Sequence, residues 1–164
     1  WPGPTDDDPA SWLMRQAVWD HEQVMIGGSD AGAHLDRMAG ASYPTEWLAD
    51  CLRGQGLASL EQAVAHMTDV PARYFGLVGR GRIAEGFHAD LVVFDPETIG
   101  ADELRLHNDL PGESPRLYAE AVGIHKVFVN GVLAVDDGEA TGALPGVVLR
   151  SGDHTETVPI PADA

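Results

Sequence analysis

The hydrophobic pattern of this chain changes period at Gly76, and that change constrains the fold more than any other feature. Before it, apolar residues recur at helical spacing. Ser59 and Gln62 form a capping-box pair, followed by Leu60, Ala63, Val64 and Met67 at i, i+3, i+4 and i+7, one helical face. Pro71 can open a second short helix, Ala72 to Phe75, closed by Gly76. Ser11 is a candidate cap for a helix through Asp20, and Pro44 or Thr45 for one through about Arg53. After Gly76, short β-rich runs alternate with Gly, Pro, Asn and Asp: Ala89–Asp95, Ile124–Asn130, Val132–Val135, Val147–Arg150 and Thr155–Ile160. Asn130-Gly131 predicts a tight hairpin, because both turn residues accept positive φ. Residues 96–121 are polar and Pro-bearing, and read as a long connection with one short helix. Upstream, residues 1–10 read as loop, and Val24-Met25-Ile26, closed by Gly27-Gly28, as one buried strand. The reading is α/β followed by β, with residues 1–76 and 77–164 as the two units.

Composition narrows the function. With 164 residues and 44% hydrophobic content the chain has material for a core. A formal charge of −16 opposes nucleic acid and anionic membrane surfaces as partners. The longest apolar runs, such as Leu91–Phe94, are far short of the roughly 20 residues that cross a bilayer. One cysteine, Cys51, allows no internal disulfide, fits a reducing, cytoplasmic setting, and reads as a small buried hydrophobe within a helix.

Two residues stand where chemistry gathers in parallel α/β folds. Asp30 lies just past the strand Val24–Ile26, at the end that carries active sites, where a carboxylate can ligate a divalent metal and accept a proton from bound water. Gly27-Gly28-Ser29-Asp30 is equally ordinary turn chemistry, so the local pattern leaves both readings open. His34 follows by four residues with Asp36 beyond it, and reads as a ligand, a proton shuttle, a substrate hydrogen-bonder or a surface loop residue. The other histidines, His21, His66, His88, His107, His125 and His154, form no His-x-His or His-Glu-x-x-His pair, so spacing assembles no tetrahedral metal set.

Several segments in order resemble the metal-dependent amidohydrolases. Gly28-Ser29-Asp30-Ala31-Gly32-Ala33-His34 is similar to the loop after the eighth barrel strand of that family. Leu60–Val64 through Thr68, Pro71-Ala72 and Phe75-Gly76-Leu77 are similar to the helix pair that follows it. Gly81-Arg82-Ile83-Ala84-Glu85-Gly86-Phe87-His88-Ala89-Asp90-Leu91-Val92-Val93-Phe94-Asp95 is similar to its C-terminal signature. Val129-Asn130-Gly131 and Thr141–Arg150 resemble the end of the N-acyl-D-amino-acid deacylase (D-aminoacylase) branch.

The resemblance implies the last strand and helices of a (β/α)8 barrel, followed by part of a β-sandwich built from both chain ends. It implies zinc-dependent hydrolysis of an amide C–N bond in a small molecule, with Asp30 as metal ligand and proton shuttle and with His34 and Ser29 at the substrate. The family's His-x-His, its bridging residue and its two further metal histidines have no counterpart in this sequence, and one barrel strand is far from the roughly 250 residues of a whole barrel. Together with an opening at Trp1, this reads as the C-terminal part of a longer enzyme, with no zinc and no activity expected of the chain alone. Exposed sheet edges imply a homo-oligomer. Two alternatives stand beside this one: a non-catalytic β-sandwich binding or assembly module, and a dihydropyrimidinase- or dihydroorotase-like cyclic amidase.

Overall fold

The computed structural model describes residues 8–22 and 24–159. Among these residues four α-helices precede eight strands: α1 Pro9–Trp19, α2 Tyr43–Ala49, α3 Leu60–Met67 and α4 Asp69–Tyr74, then β1 Leu91–Phe94, β2 Gly100–Ala101, β3 Arg105–Leu110, β4 Ser114–Tyr118, β5 Ala121–Val122, β6 Ile124–Val129, β7 Val132–Asp136 and β8 Glu139–Ala140. The change of period at Gly76 is therefore a change of structure.

The local signals in the helical half are read nearly as written. The Ser59 hydroxyl accepts from the Gln62 amide at 3.2 Å, and the Gln62 side chain accepts from the Ser59 amide at 3.0 Å, closing the capping box of α3. α1 starts earlier than Ser11 predicts. The Asp8 carboxylate accepts from Ala10 and Ser11 at 2.9 and 3.1 Å, and Ser11 lies buried inside the helix. α2 does not stop at Ala49: it loosens into a π-helical turn over Asp50–Gly54, after which the chain turns at Gly56, φ 61°.

The main sheet is antiparallel, in the order β1-β6-β7-β8. The β6–β7 hairpin turns at Asn130 and Gly131, with φ of 48° and 79°, the left-handed pair that Asn-Gly was expected to supply. Two further ladders, β2–β5 and β3–β4, lie within residues 100–122, so the expected long connection is largely strand, with one short 3-10 helix over Pro111–Glu113. Cross-strand ties that the composition hides hold β3 to β4. Arg116 makes two 2.7 Å bonds to Asp109, and the His107 and Tyr118 rings meet edge to face at 5.9 Å.

Three expected strands do not form. Val24–Ile26 is half-buried and pairs with no described residue. A parallel barrel strand exists only through ladders to its neighbours, and no described segment lies alongside to provide one. Val147–Arg150 is exposed and irregular. Of Thr155–Ile160, only Thr155 bridges to Leu77, and Ile160 lies outside the described residues, as do residues 1–7 of the expected first loop. The last barrel strand is thus not formed among the described residues, while the helices expected after it, α3 and α4, are. On the sheet, β1 is an edge strand with Val92 and Val93 about half exposed, at 53% and 48%, and Leu91 and Phe94 half-buried.

One core links the two halves. Trp47, Leu48, Cys51, Leu57 and Ala63 of the helical half close over Ile99, and Phe94 and Ile124 of the strands pack against them. Cys51 is 1% exposed, and burial, followed by the neighbouring Asp50 charge, pushes its thiol up to about 12. A raised folded-state value means that the native thiol keeps its proton where an unfolded one loses it. That contribution to stability is whole below the ordinary thiol value and fades as pH rises toward 12. In native buffer at pH 8, Cys51 should resist iodoacetamide and react only after denaturant is added; fast labelling of the folded chain, read by mass spectrometry, would contradict this.

Candidate functional site

The candidate loop begins where the extended segment Val24–Gly28 ends. This segment lines a cavity of about 840 Å³ with Trp12, Trp19 and Trp47 on its wall, which accounts for the half-burial of Val24, Met25 and Ile26 without a strand partner. Gly28, at φ 99°, then turns the chain outward, and Ser29, Asp30 and His34 lie beyond the cavity lining, all exposed.

Short-range backbone bonds shape the loop. The Ser29 hydroxyl accepts from the Ala31 amide at 3.2 Å, so this side chain is engaged in the turn. The Asp30 carbonyl accepts from Ala33 at 2.9 Å, and the His34 carbonyl accepts from both Arg37 and Met38 at 2.9 Å. His34 sits at φ 46°, a left-handed position uncommon for a residue with a side chain. Gly40 closes the loop against its start: a Cβ there would lie 3.3 Å from the Ala31 nitrogen and from the Ser29 Cβ. Asp36 and Arg37 form a loose exposed pair at 3.6 Å, of the kind worth little in water.

The structure brings Asp30, His34 and Ser29 into one loop but supplies no donor set around them. Among the described residues, no three His, Cys, Asp or Glu side chains converge as metal ligands would. Asp30 is an open carboxylate at the end of the extended segment, a single ligand or a single proton acceptor. Zinc takes three protein ligands in catalytic sites and four in structural ones, so the described residues do not form a zinc site among themselves.

The signature stretch does different work from the loop. Arg80 pairs with Asp90 and donates to the Asn130 amide oxygen at 2.8 Å. Asp90 accepts from the Asn130 backbone at 2.8 Å, and the Asn130 side chain donates to the Pro145 carbonyl at 2.8 Å. Partial burial opposes charge on Asp90, but the Asn130 amide and the Arg80 guanidinium outweigh it and hold the carboxyl below the usual range. The aspartate of the Ala-Asp-Leu-Val-Val run is therefore a clamp on the hairpin turn and on the following Pro145 segment. Sequence reading marked Asp90 and Asn130 separately and could not join them, because their contacts, one direct and one through Arg80, join residues 40 positions apart. A second clamp lies nearby: Asp69 receives Arg82, and Arg73 at 3.0 Å, and its carboxyl is held low chiefly by the Arg82 hydrogen bond.

Residues 13–135 match the model of the amidohydrolase family. The chain is 41% identical over 153 residues to an N-acyl-D-aspartate deacylase of Alcaligenes xylosoxydans xylosoxydans, covering 87% of this chain and 28% of that protein. It is 40% identical over 128 residues to a D-aminoacylase of the same organism, covering 74% and 24%. Among solved structures it is similar to the N-acyl-D-glutamate deacylase of Bordetella bronchiseptica, crystallised with zinc and a phosphonate inhibitor. There the identity is 39%, the TM-score 0.44, and the coverage 58% of this chain and 19% of that one. The chain thus spans about a quarter of the length of the curated relatives it matches.

Proposed function

The chain belongs to the amidohydrolase family, and from that premise we propose that it serves the hydrolysis of N-acyl-D-amino acids, with Asp30 as its reacting group. The observation that supports this reading most is the 41% identity to an N-acyl-D-aspartate deacylase across 87% of the chain. The family match itself, over residues 13–135, includes the whole Asp30 loop.

The chemistry asked of Asp30 is proton movement. A water attacks the acyl carbon, and the carboxylate takes the proton that the water gives up. The same proton passes to the amide nitrogen as the C–N bond breaks, leaving a carboxylate and a free amine. The exposure of the Asp30 carboxylate supports this role. His34, four residues on and exposed at a left-handed backbone position, is assigned to hydrogen bonding with the substrate. Ser29 is assigned there as well, through the hydroxyl that already orders the turn. Zinc would activate the water, as the family resemblance implies. The described residues do not complete a zinc site, so on this reading its other ligands come from beyond them.

Two measurements test the proposal. Calorimetric titration of the 164-residue chain with zinc should show no stoichiometric micromolar binding, and incubation with N-acetyl-D-aspartate and zinc should give no turnover. Turnover by the chain alone would refute the division of ligands. In a protein that joins this chain to the remaining family ligands, Asp30→Asn should lower kcat by about 10²–10⁴-fold, as loss of a general acid–base does. A loss below about tenfold would remove Asp30 from the reaction.

A further inference from the structure

We propose that the β3–β4 hairpin latches the Asp30 loop in place through the backbone amide of Leu117, which makes Leu117 a positioning residue for the site. Two independent observations carry this. Leu117 donates its amide hydrogen to the Leu35 carbonyl at 2.7 Å, across 82 residues of sequence. Leu35 is also the one half-buried residue among the exposed ones from Gly27 to Met38, so the loop turns inward at this position.

Strand geometry explains why Leu117 is available. It lies opposite Leu106, between the pairs Arg105–Tyr118 and His107–Arg116. An amide carries one hydrogen. Donation to Leu35 therefore points away from β3, and Leu106–Leu117 is a pair that exchanges no ladder bond. β4 thus presents one face of its backbone to β3 and the other to the loop, and Leu35 extends the ribbon by a single residue. The ribbon is itself braced by the double Arg116–Asp109 bond and by Arg116 stacked 4.4 Å over the Tyr118 ring.

On the loop side, Leu35 lies just after His34 and within the turn that the Arg37 and Met38 amides close on the His34 carbonyl. Fixing the Leu35 carbonyl therefore fixes that turn, and through Ala33 bonded to the Asp30 carbonyl it fixes the segment that carries the carboxylate. The functional weight of the latch rests on the reading of Asp30 given above. The latch itself does not, and it can be measured without substrate or metal.

The test exploits the outward amide. Proline has no N–H but is tolerated on the open edge of a strand, and it keeps the preceding residue extended, as Arg116 already is. Leu117→Pro should remove the latch and leave the β3–β4 ladder intact, whereas Leu117→Ala keeps the amide and should keep the latch. Hydrogen exchange by NMR on the 164-residue chain is the readout. In Leu117→Pro the amides of Ala33, Arg37 and Met38 should exchange at least ~10-fold faster, while ladder amides of β3 and β4 stay within about twofold; in Leu117→Ala all of them should stay within about twofold. Unchanged loop amides in Leu117→Pro would overturn the latch. So would equal acceleration of loop and ladder amides, or a Leu117→Ala variant as fast as Leu117→Pro.

Discussion

Trp47→Ala should destabilise the chain by about 3–5 kcal/mol, the range of large-to-small changes in a packed core. Trp47 is 8% exposed and stands at the centre of an aromatic stack. Trp19 meets it edge to face at 4.7 Å and His66 at 6.1 Å. Its indole N–H donates to the Ala63 carbonyl at 3.1 Å, tying α2 to α3. Alanine would lose the buried ring area, the edge-to-face contacts and this bond together. A urea titration should show a lower midpoint with an unchanged slope. A midpoint loss worth under about 1 kcal/mol would mean that the helical half does not depend on this stack.

Gly123→Ala should cost a comparable amount for a different reason. Gly123 has φ 76°, where a side chain is strained, and an added Cβ would lie 2.7 Å from the Ile99 nitrogen and 2.8 Å from its Cα. Ile99 is fully buried, and the Gly123 carbonyl accepts from Asp95 at 2.9 Å, so backbone meets backbone with nothing able to move aside. The left-handed conformation accounts for roughly 1–2 kcal/mol and the overpacking for about 1–3 more. Gly138→Ala is the matched control, with φ 87° and open space around the added carbon, and should show the conformational cost alone. Equal losses in the two variants would mean that the close approach at Ile99 carries no energy. Either Trp47→Ala or Gly123→Ala consumes a large share of the 5–15 kcal/mol available to an ordinary domain.

The two substitutions also mark how far the sequence can be read. Short-range chemistry was legible. Ser59 and Gln62 cap α3 because both partners lie within one turn, and Asn130-Gly131 turns the hairpin because its φ values are intrinsic to those residues. Gly123 carried no such mark: its need for glycine comes from Ile99, which reaches it only after the chain has folded. Val24-Met25-Ile26 shows the opposite failure. A correct apolar run predicted a strand, yet a strand is a relation between segments, and no described segment pairs with it. The β3–β4 hairpin was hidden because its cohesion lies in Arg116–Asp109 and His107–Tyr118, cross-strand pairs that a polar composition disguises.

The candidate site divides in the same way. From sequence alone came the loop, its carboxylate Asp30 and its neighbours Ser29 and His34, since residue types and their order along the chain are local facts. Sequence alone also determined the switch from helices to strands at Gly76, because hydrophobic period is a property of consecutive residues. Only the tertiary structure decided that the loop rests on the hairpin through Leu35 and Leu117, and that Asp90, Arg80 and Asn130 form one clamp. Backbone amides and carbonyls are the same in every residue, so a bond between two of them 82 positions apart leaves no trace in the letters.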